Sequence, residues 1–152
     1  IIIGSGPAGV SAAVYAKRGG ANVLVISKDT GTLGKAKKIE NYYGFKNISG
    51  KDLYENGLKQ LENLNIEFVK DEVVQLNYTS QFEVTTVNNI FQAKYVVLAT
   101  GVSRNVPNIK GIKEFEGKGV SYCAICDAFF YRNKELIASE LTRVITIIVI
   151  NR

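Results

Sequence analysis

Histidine and methionine are absent from this chain, and proline and cysteine occur twice each. Two cysteines and no histidine fall short of the four ligands of a structural zinc site, so a zinc finger or ribbon is excluded unless carboxylates or a second chain complete it. The missing methionine, at position 1 included, gives the expectation that translation starts upstream and that these 152 residues belong to a longer chain. Long apolar runs are missing too. Ile1 to Ile3, Val23 to Ile26, Val96 to Leu98 and Val144 to Ile150 are each far below the roughly eighteen residues that cross a bilayer. The first run leads directly into a glycine-rich turn, which does not fit a signal peptide. A cytoplasmic protein with no membrane partner is therefore expected. There is no internal repeat or low-complexity tract, and Pro7 and Pro107 both stand at expected element boundaries.

What is present suits one globular core, with 46% hydrophobic residues and a formal charge of +5. The positive excess gathers partly at Lys35, Lys37 and Lys38. No aromatic-interleaved basic groove accompanies it, so a nucleic-acid partner is not expected, while an acidic protein partner is compatible with it.

Three isoleucines, the turn Gly4-Ser5-Gly6-Pro7-Ala8-Gly9 and the small-residue stretch Val10 to Arg18 predict a buried strand, a tight turn and a helix ended by Gly19-Gly20. With a second strand over Asn22 to Ile26, this is a βαβ unit. Its glycines let the backbone approach a pyrophosphate, and its helix start offers unpaired amides. The acid that usually holds the adenosine ribose is not at the end of the second strand, where Ser27 stands; Asp29 is the available substitute. Thr30 to Gly50 reads as an irregular, ligand-binding type of segment containing Glu40-Asn41-Tyr42-Tyr43-Gly44-Phe45. Lys51 to Asn63 has amphipathic helical spacing. Four β-like segments follow, Ile66 to Val69, Val73 to Leu76, Phe82 to Val87 and Ile90 to Ala93, with Asn88-Asn89 as a hairpin turn. Tyr95 to Ala99 is a further apolar strand that ends at Thr100-Gly101.

Cys123 and Cys126 form a Cys-x-x-Cys pair. Such a pair closes a small disulfide ring, and a thiolate at a helix start is stabilised by unpaired amides and the helix dipole, so the motif suits reversible oxidation. A static disulfide fits poorly with a reducing compartment. Asp127 beside a leaving thiolate is a candidate general acid, although helix starts also favour aspartate for structural reasons.

Four motifs in order resemble the low-molecular-weight thioredoxin reductases: Ile3-Gly4-Ser5-Gly6-Pro7-Ala8-Gly9, Ile39 to Phe45, Ala99-Thr100-Gly101 and Gly119-Val120-Ser121-Tyr122-Cys123-Ala124-Ile125-Cys126-Asp127. The resemblance implies an α/β fold, with a Rossmann-like FAD-binding domain built from a parallel sheet plus a small antiparallel meander, and part of a second nucleotide-binding domain. It would divide the chain into residues 1–110 and 111–152. It further implies a homodimer acting on thioredoxin, with FAD as cofactor and NADPH as electron donor. By motif, Gly4, Ser5, Gly6, Ala8 and Gly9 would hold the FAD pyrophosphate, and Asn41, Thr100 and Gly101 would lie along the rest of the cofactor. Cys126 would face the flavin, Cys123 would exchange with thioredoxin, and Asp127 would be the acid.

The chain departs from that pattern after the cysteines. The second glycine-rich turn is missing, so a break near 135/136 is expected, with Leu136 to Thr142 as a helix end and Arg143 to Arg152 as a strand. Gly31-Thr32-Leu33-Gly34-Lys35 with Glu40 to Phe45 looks like clostridial-type members, some of which take electrons from ferredoxin. A ferredoxin-dependent reductase and a truncated, non-catalytic FAD-binding module are the alternatives.

Overall fold

Consecutive residues of the first two strands point to opposite faces of one sheet, and both faces are covered. In the computed structural model, β1 (Ile2–Ile3) and β2 (Leu24–Ser27) pair in parallel through Ile2 with Val25 and Ile3 with Ile26. Ile2 and Val25 pack on one side against Val10, Ala13, Leu61 and Ile66. Ile3 and Ile26 pack on the other side with Val84. Val25 and Ile26 have no exposed surface at all, which is why this segment reads as a continuous apolar run rather than an alternating one. Each such side chain contributes on the order of 2 kcal/mol by leaving water.

The structure describes residues 1–102, 108–116, 118–122, 131–133, 136–140 and 145–149. The chain divides into the units Ile1–Val102 and Ser103–Arg152. In the first unit β3 (Glu67–Lys70) and β7 (Val97–Leu98) complete a four-stranded parallel sheet in the order β3-β2-β1-β7. Helix α1 (Pro7–Arg18) crosses from β1 to β2. Pro7 at its first position has a preset backbone and needs no amide partner there, and Lys17 and Arg18 in its last turn suit the negative end of the helix. Helix α2 (Gly50–Asn63) starts at Ser49, whose hydroxyl accepts from the Asp52 amide at 3.1 Å and donates to the Asp52 carboxylate at 2.6 Å. The two helices approach closely because Gly57 faces Val10: a Cβ there would stand 3.3 Å from a Val10 methyl. Asn65, in the left-handed region at φ +50°, ends α2, and Ile66 N donates back to Leu61 O at 2.9 Å.

The opposite face of the sheet is covered by a three-stranded antiparallel meander, β4 (Val73–Tyr78), β5 (Phe82–Thr86) and β6 (Ile90–Ala93). Of the four β-like segments expected, the first therefore joins the parallel sheet beside β2, and the other three form the meander. No helix among the described residues is long and apolar enough to cross a membrane.

In the second unit, β8 (Val120–Ser121), β9 (Leu136–Glu140) and β10 (Ile145–Val149) form an antiparallel sheet in the order β8-β10-β9. Ile112, Val120 and Tyr122 make a small buried cluster. The expected helix end over Leu136 to Thr142 is corrected here: Leu136–Glu140 is a strand paired along its whole length with Ile145–Val149. Five residues of mixed propensity follow their neighbour, and the β-branched run of β10 offers a ladder that outweighs a weak helical preference. The expected break at 135/136 adjoins residues outside those described.

Candidate functional site

The carboxyl ends of β1 and β7 lie side by side, Ile3 opposite Leu98, while the chain from β1 leaves through α1 towards β2 and β3 on the other side. Open parallel sheets hold their ligands at such a reversal of strand order. Ala99 N donates to Ile3 O at 2.8 Å and Gly4 N to Ile26 O at 2.8 Å, so the turn after β1 is tied to both neighbouring strands.

The three glycines of the turn differ in what the fold asks of them. Gly4 has φ +109°, and a Cβ on it would overlap the Ala99 carbonyl oxygen and stand 2.7 Å from the carbonyl carbon. A Cβ on Gly9 would overlap the Gly4 carbonyl oxygen, so Gly9 is what lets α1 lie against the turn. Gly6 is unlike either: its φ is −69°, open to any residue, and a Cβ there would meet nothing within 4 Å. The packing of the protein itself does not require a bare backbone at position 6.

Gly6 is the N-cap of α1 and no side chain caps that end. Pro7 has no amide, Val10 N donates to Gly6 O at 3.0 Å, and the Ala8 and Gly9 amides have no acceptor within the helix. The first turn carries no acidic residue. Outward amides, the positive end of a twelve-residue helix and open space at Gly6 can receive a pyrophosphate. Ser5 is buried, with its hydroxyl 3.0 Å from that of Tyr54 on α2, which anchors the turn from beneath. On the β7 side, Thr100 and Gly101 are exposed beside the turn, Gly101 with φ +70°.

The structure thus brings Gly4, Ser5, Gly6, Ala8, Gly9, Thr100 and Gly101 to one place. Asn41 is exposed on a loop that the pair Ile39 and Ile48 closes through hydrogen bonds of 2.8 and 3.2 Å. Tyr43 at the tip of that loop is fully exposed, and Lys38 pairs with Glu40 at 2.7 Å. Cys123, Cys126 and Asp127 lie outside the described residues.

At the end of β2, Ser27 Oγ donates to Asp29 O at 3.2 Å, and Asp29 Oδ1 accepts from Gly31 N at 2.7 Å. The substitute acid therefore already has one oxygen committed to its own turn. Behind this turn stands a feature that sequence patterns did not reveal. Asp71, buried at 7% exposure, accepts from Thr86 Oγ1 at 2.7 Å, Glu72 N at 2.8 Å, Asn88 Nδ2 at 3.1 Å and Asn88 N at 3.3 Å. The Thr86 hydroxyl, then the Glu72 and Asn88 donors, hold its carboxyl below the ordinary value against the opposing effect of desolvation. The Ala99 carbonyl over Gly4 and the Tyr54 hydroxyl under Ser5 were also missed. Only the pairing of distant segments creates those contacts. Among the described residues, no cluster of three metal-ligating side chains occurs.

A parallel sheet with a glycine turn at its reversal point and a bare helix start beside it defines a dinucleotide-binding α/β protein of Rossmann type. The chain belongs to the pyridine nucleotide-disulphide oxidoreductase family, which matches residues 1–150. It is 39% identical over 137 residues to the thioredoxin reductase of Ureaplasma parvum, a match that covers 88% of this chain and 44% of that protein. Among solved structures it resembles the thioredoxin reductase of Streptococcus pyogenes, with 38% identity, a TM-score of 0.77 and coverage of 88% and 44%. It also resembles the atypical thioredoxin reductase of Desulfovibrio vulgaris Hildenborough, with 42% identity, a TM-score of 0.64 and coverage of 88% and 46%. The chain spans less than half the length of these relatives.

Proposed function

We propose that this chain serves an FAD-dependent disulfide reductase that acts on thioredoxin. The observation that carries the reading is the cradle at Gly6, open where the protein's own packing needs no glycine, in a chain of this family. Gly4, Ser5, Gly6, Ala8 and Gly9 would receive the FAD pyrophosphate, with Asn41, Thr100 and Gly101 along the remainder. Bound there, FAD supplies the two-electron chemistry.

The exchange falls to the cysteines, whose separate roles rest on the resemblance to the thioredoxin reductases. In the reduced pair, the Cys123 thiolate attacks one sulfur of the thioredoxin disulfide and expels the other as a thiolate. Cys126 then attacks Cys123 of the mixed disulfide, releasing the second thioredoxin thiolate and leaving Cys123 and Cys126 oxidised. Two electrons have then passed to the partner. Asp127 is the proposed acid that supplies a proton when the pair is next reduced.

A pyridine nucleotide, NADPH, is the proposed donor, in keeping with the family's description. The +5 charge and the cluster Lys35, Lys37 and Lys38 favour a second reading, a clostridial-type member reduced by an acidic ferredoxin. The proposed assembly is a homodimer in the cytoplasm.

Anaerobic titration of the flavin-loaded protein with NADPH decides between donors. Stoichiometric bleaching of the flavin is expected; bleaching by reduced ferredoxin alone establishes the second reading. A protein that retains no FAD overturns both.

A further inference from the structure

Asp71 and Glu72 join two parts of the fold that are distant in sequence. Asp71 N donates to Ser27 O at 3.2 Å and Glu72 pairs with Lys28 at 2.8 Å, so both residues grip the turn that leaves β2. On their other side, Val87 N donates to Glu72 O at 2.9 Å, and the Asp71 carboxylate takes Thr86 and both Asn88 donors from the β5–β6 turn. Ser27 closes β2 in register with Lys70, while Lys28 and Asp29 beyond it are exposed, and the bonds within the turn are Ser27 Oγ to Asp29 O and Gly31 N to Asp29 Oδ1. The turn follows directly on Ile26, whose carbonyl holds the Gly4 amide, so it borders the pyrophosphate cradle on the side where the adenosine ribose of a bound dinucleotide lies.

We propose that Asp71 is a positioning residue for the adenosine half of the cofactor: it touches no ligand, and latches the Ser27–Asp29 turn to the rigid β5–β6 hairpin so that the ribose meets a fixed surface. The proposal rests on the FAD reading above. It extends it by assigning the antiparallel meander a part in cofactor affinity.

The test is the dissociation constant of FAD for Asp71→Ala, Asp71→Asn and Thr86→Val, together with the absorption spectrum of the bound flavin. Thr86→Val keeps a β-branched residue in β5 and removes the shortest bond to the Asp71 carboxylate together with the Thr86 Oγ1 bonds to Asn89, while Asp71 keeps its Asn88 and Glu72 donors, so it serves where Asp71→Ala does not fold. The dissociation constant is expected to rise roughly tenfold in Asp71→Ala, the scale of one lost charge-assisted hydrogen bond, and less in the other two. The flavin spectrum is expected to stay that of the wild type, because the latch acts at the far end of the cofactor. Unchanged affinity in variants that fold overturns the proposal. So does a spectrum that shifts along with affinity, which marks general loosening, or failure of all three variants to fold, which marks a purely structural role. Wild-type protein that binds no FAD removes the cofactor reading itself, and the proposal with it.

Discussion

The Ala99 carbonyl oxygen occupies the place that a Cβ at position 4 would need, so the turn after β1 can close against β7 only with glycine at position 4. Gly4→Ala, strained at φ +109° and obstructed as well, is expected to cost about 2–4 kcal/mol in stability, read by urea denaturation. Gly6→Ala is expected to change stability by no more than about 1 kcal/mol yet to weaken FAD binding, because its methyl group enters the cradle rather than the protein core.

Tyr54→Phe leaves the packing of α2 intact and removes the hydroxyl that meets Ser5. The expected loss is about 1 kcal/mol, one partly buried hydrogen bond, measured by thermal or urea unfolding.

Asp71 has its carboxyl held below the ordinary value in the folded chain, by Thr86 first and then by Glu72 and Asn88. A lowered folded value means that the carboxylate stabilises the fold above the unfolded value and that this contribution is lost as pH falls through the folded one. The stability gap between wild type and Asp71→Asn should therefore be constant from neutral pH down to about pH 4 to 5 and shrink below that. Urea titrations at a series of pH values check this, and a gap that widens on acidification contradicts it.

Cys123→Ser is expected to abolish thioredoxin reduction while FAD remains bound, as read from a turnover assay and the flavin spectrum of the same sample. Residual turnover near the wild-type rate would remove Cys123 from the proposed exchange.

The phosphate-type turn was legible because each residue in it answers a local demand: no Cβ at Gly4 and Gly9, a preset backbone at Pro7, small side chains at Ala12 and Ala13 where α1 meets the sheet. The start of α2, read from amphipathic spacing alone, lies one residue from its expected position. Asp71 could not be read in this way, since its partners Thr86 and Asn88 become neighbours only when the hairpin folds back. Ile66 to Val69 read as a strand with no partner assigned, because strand-forming side chains do not encode which strand they join; the register of Glu67–Lys70 with Leu24–Ser27 decides it. Leu136–Glu140 was misread for the related reason that its state is set by Ile145–Val149 rather than by its own five residues.

The register Ile2 with Val97 couples positions ninety-five apart, whereas Ile2 also meets Val25, a much nearer neighbour along the chain. Closing so wide a loop carries a larger entropic cost and slows assembly. During synthesis, Gly4 must wait on the ribosome until Ala99 has emerged, so the nucleotide seat is completed only after α1, α2, the β4–β6 meander and the rest of its own sheet have already been made.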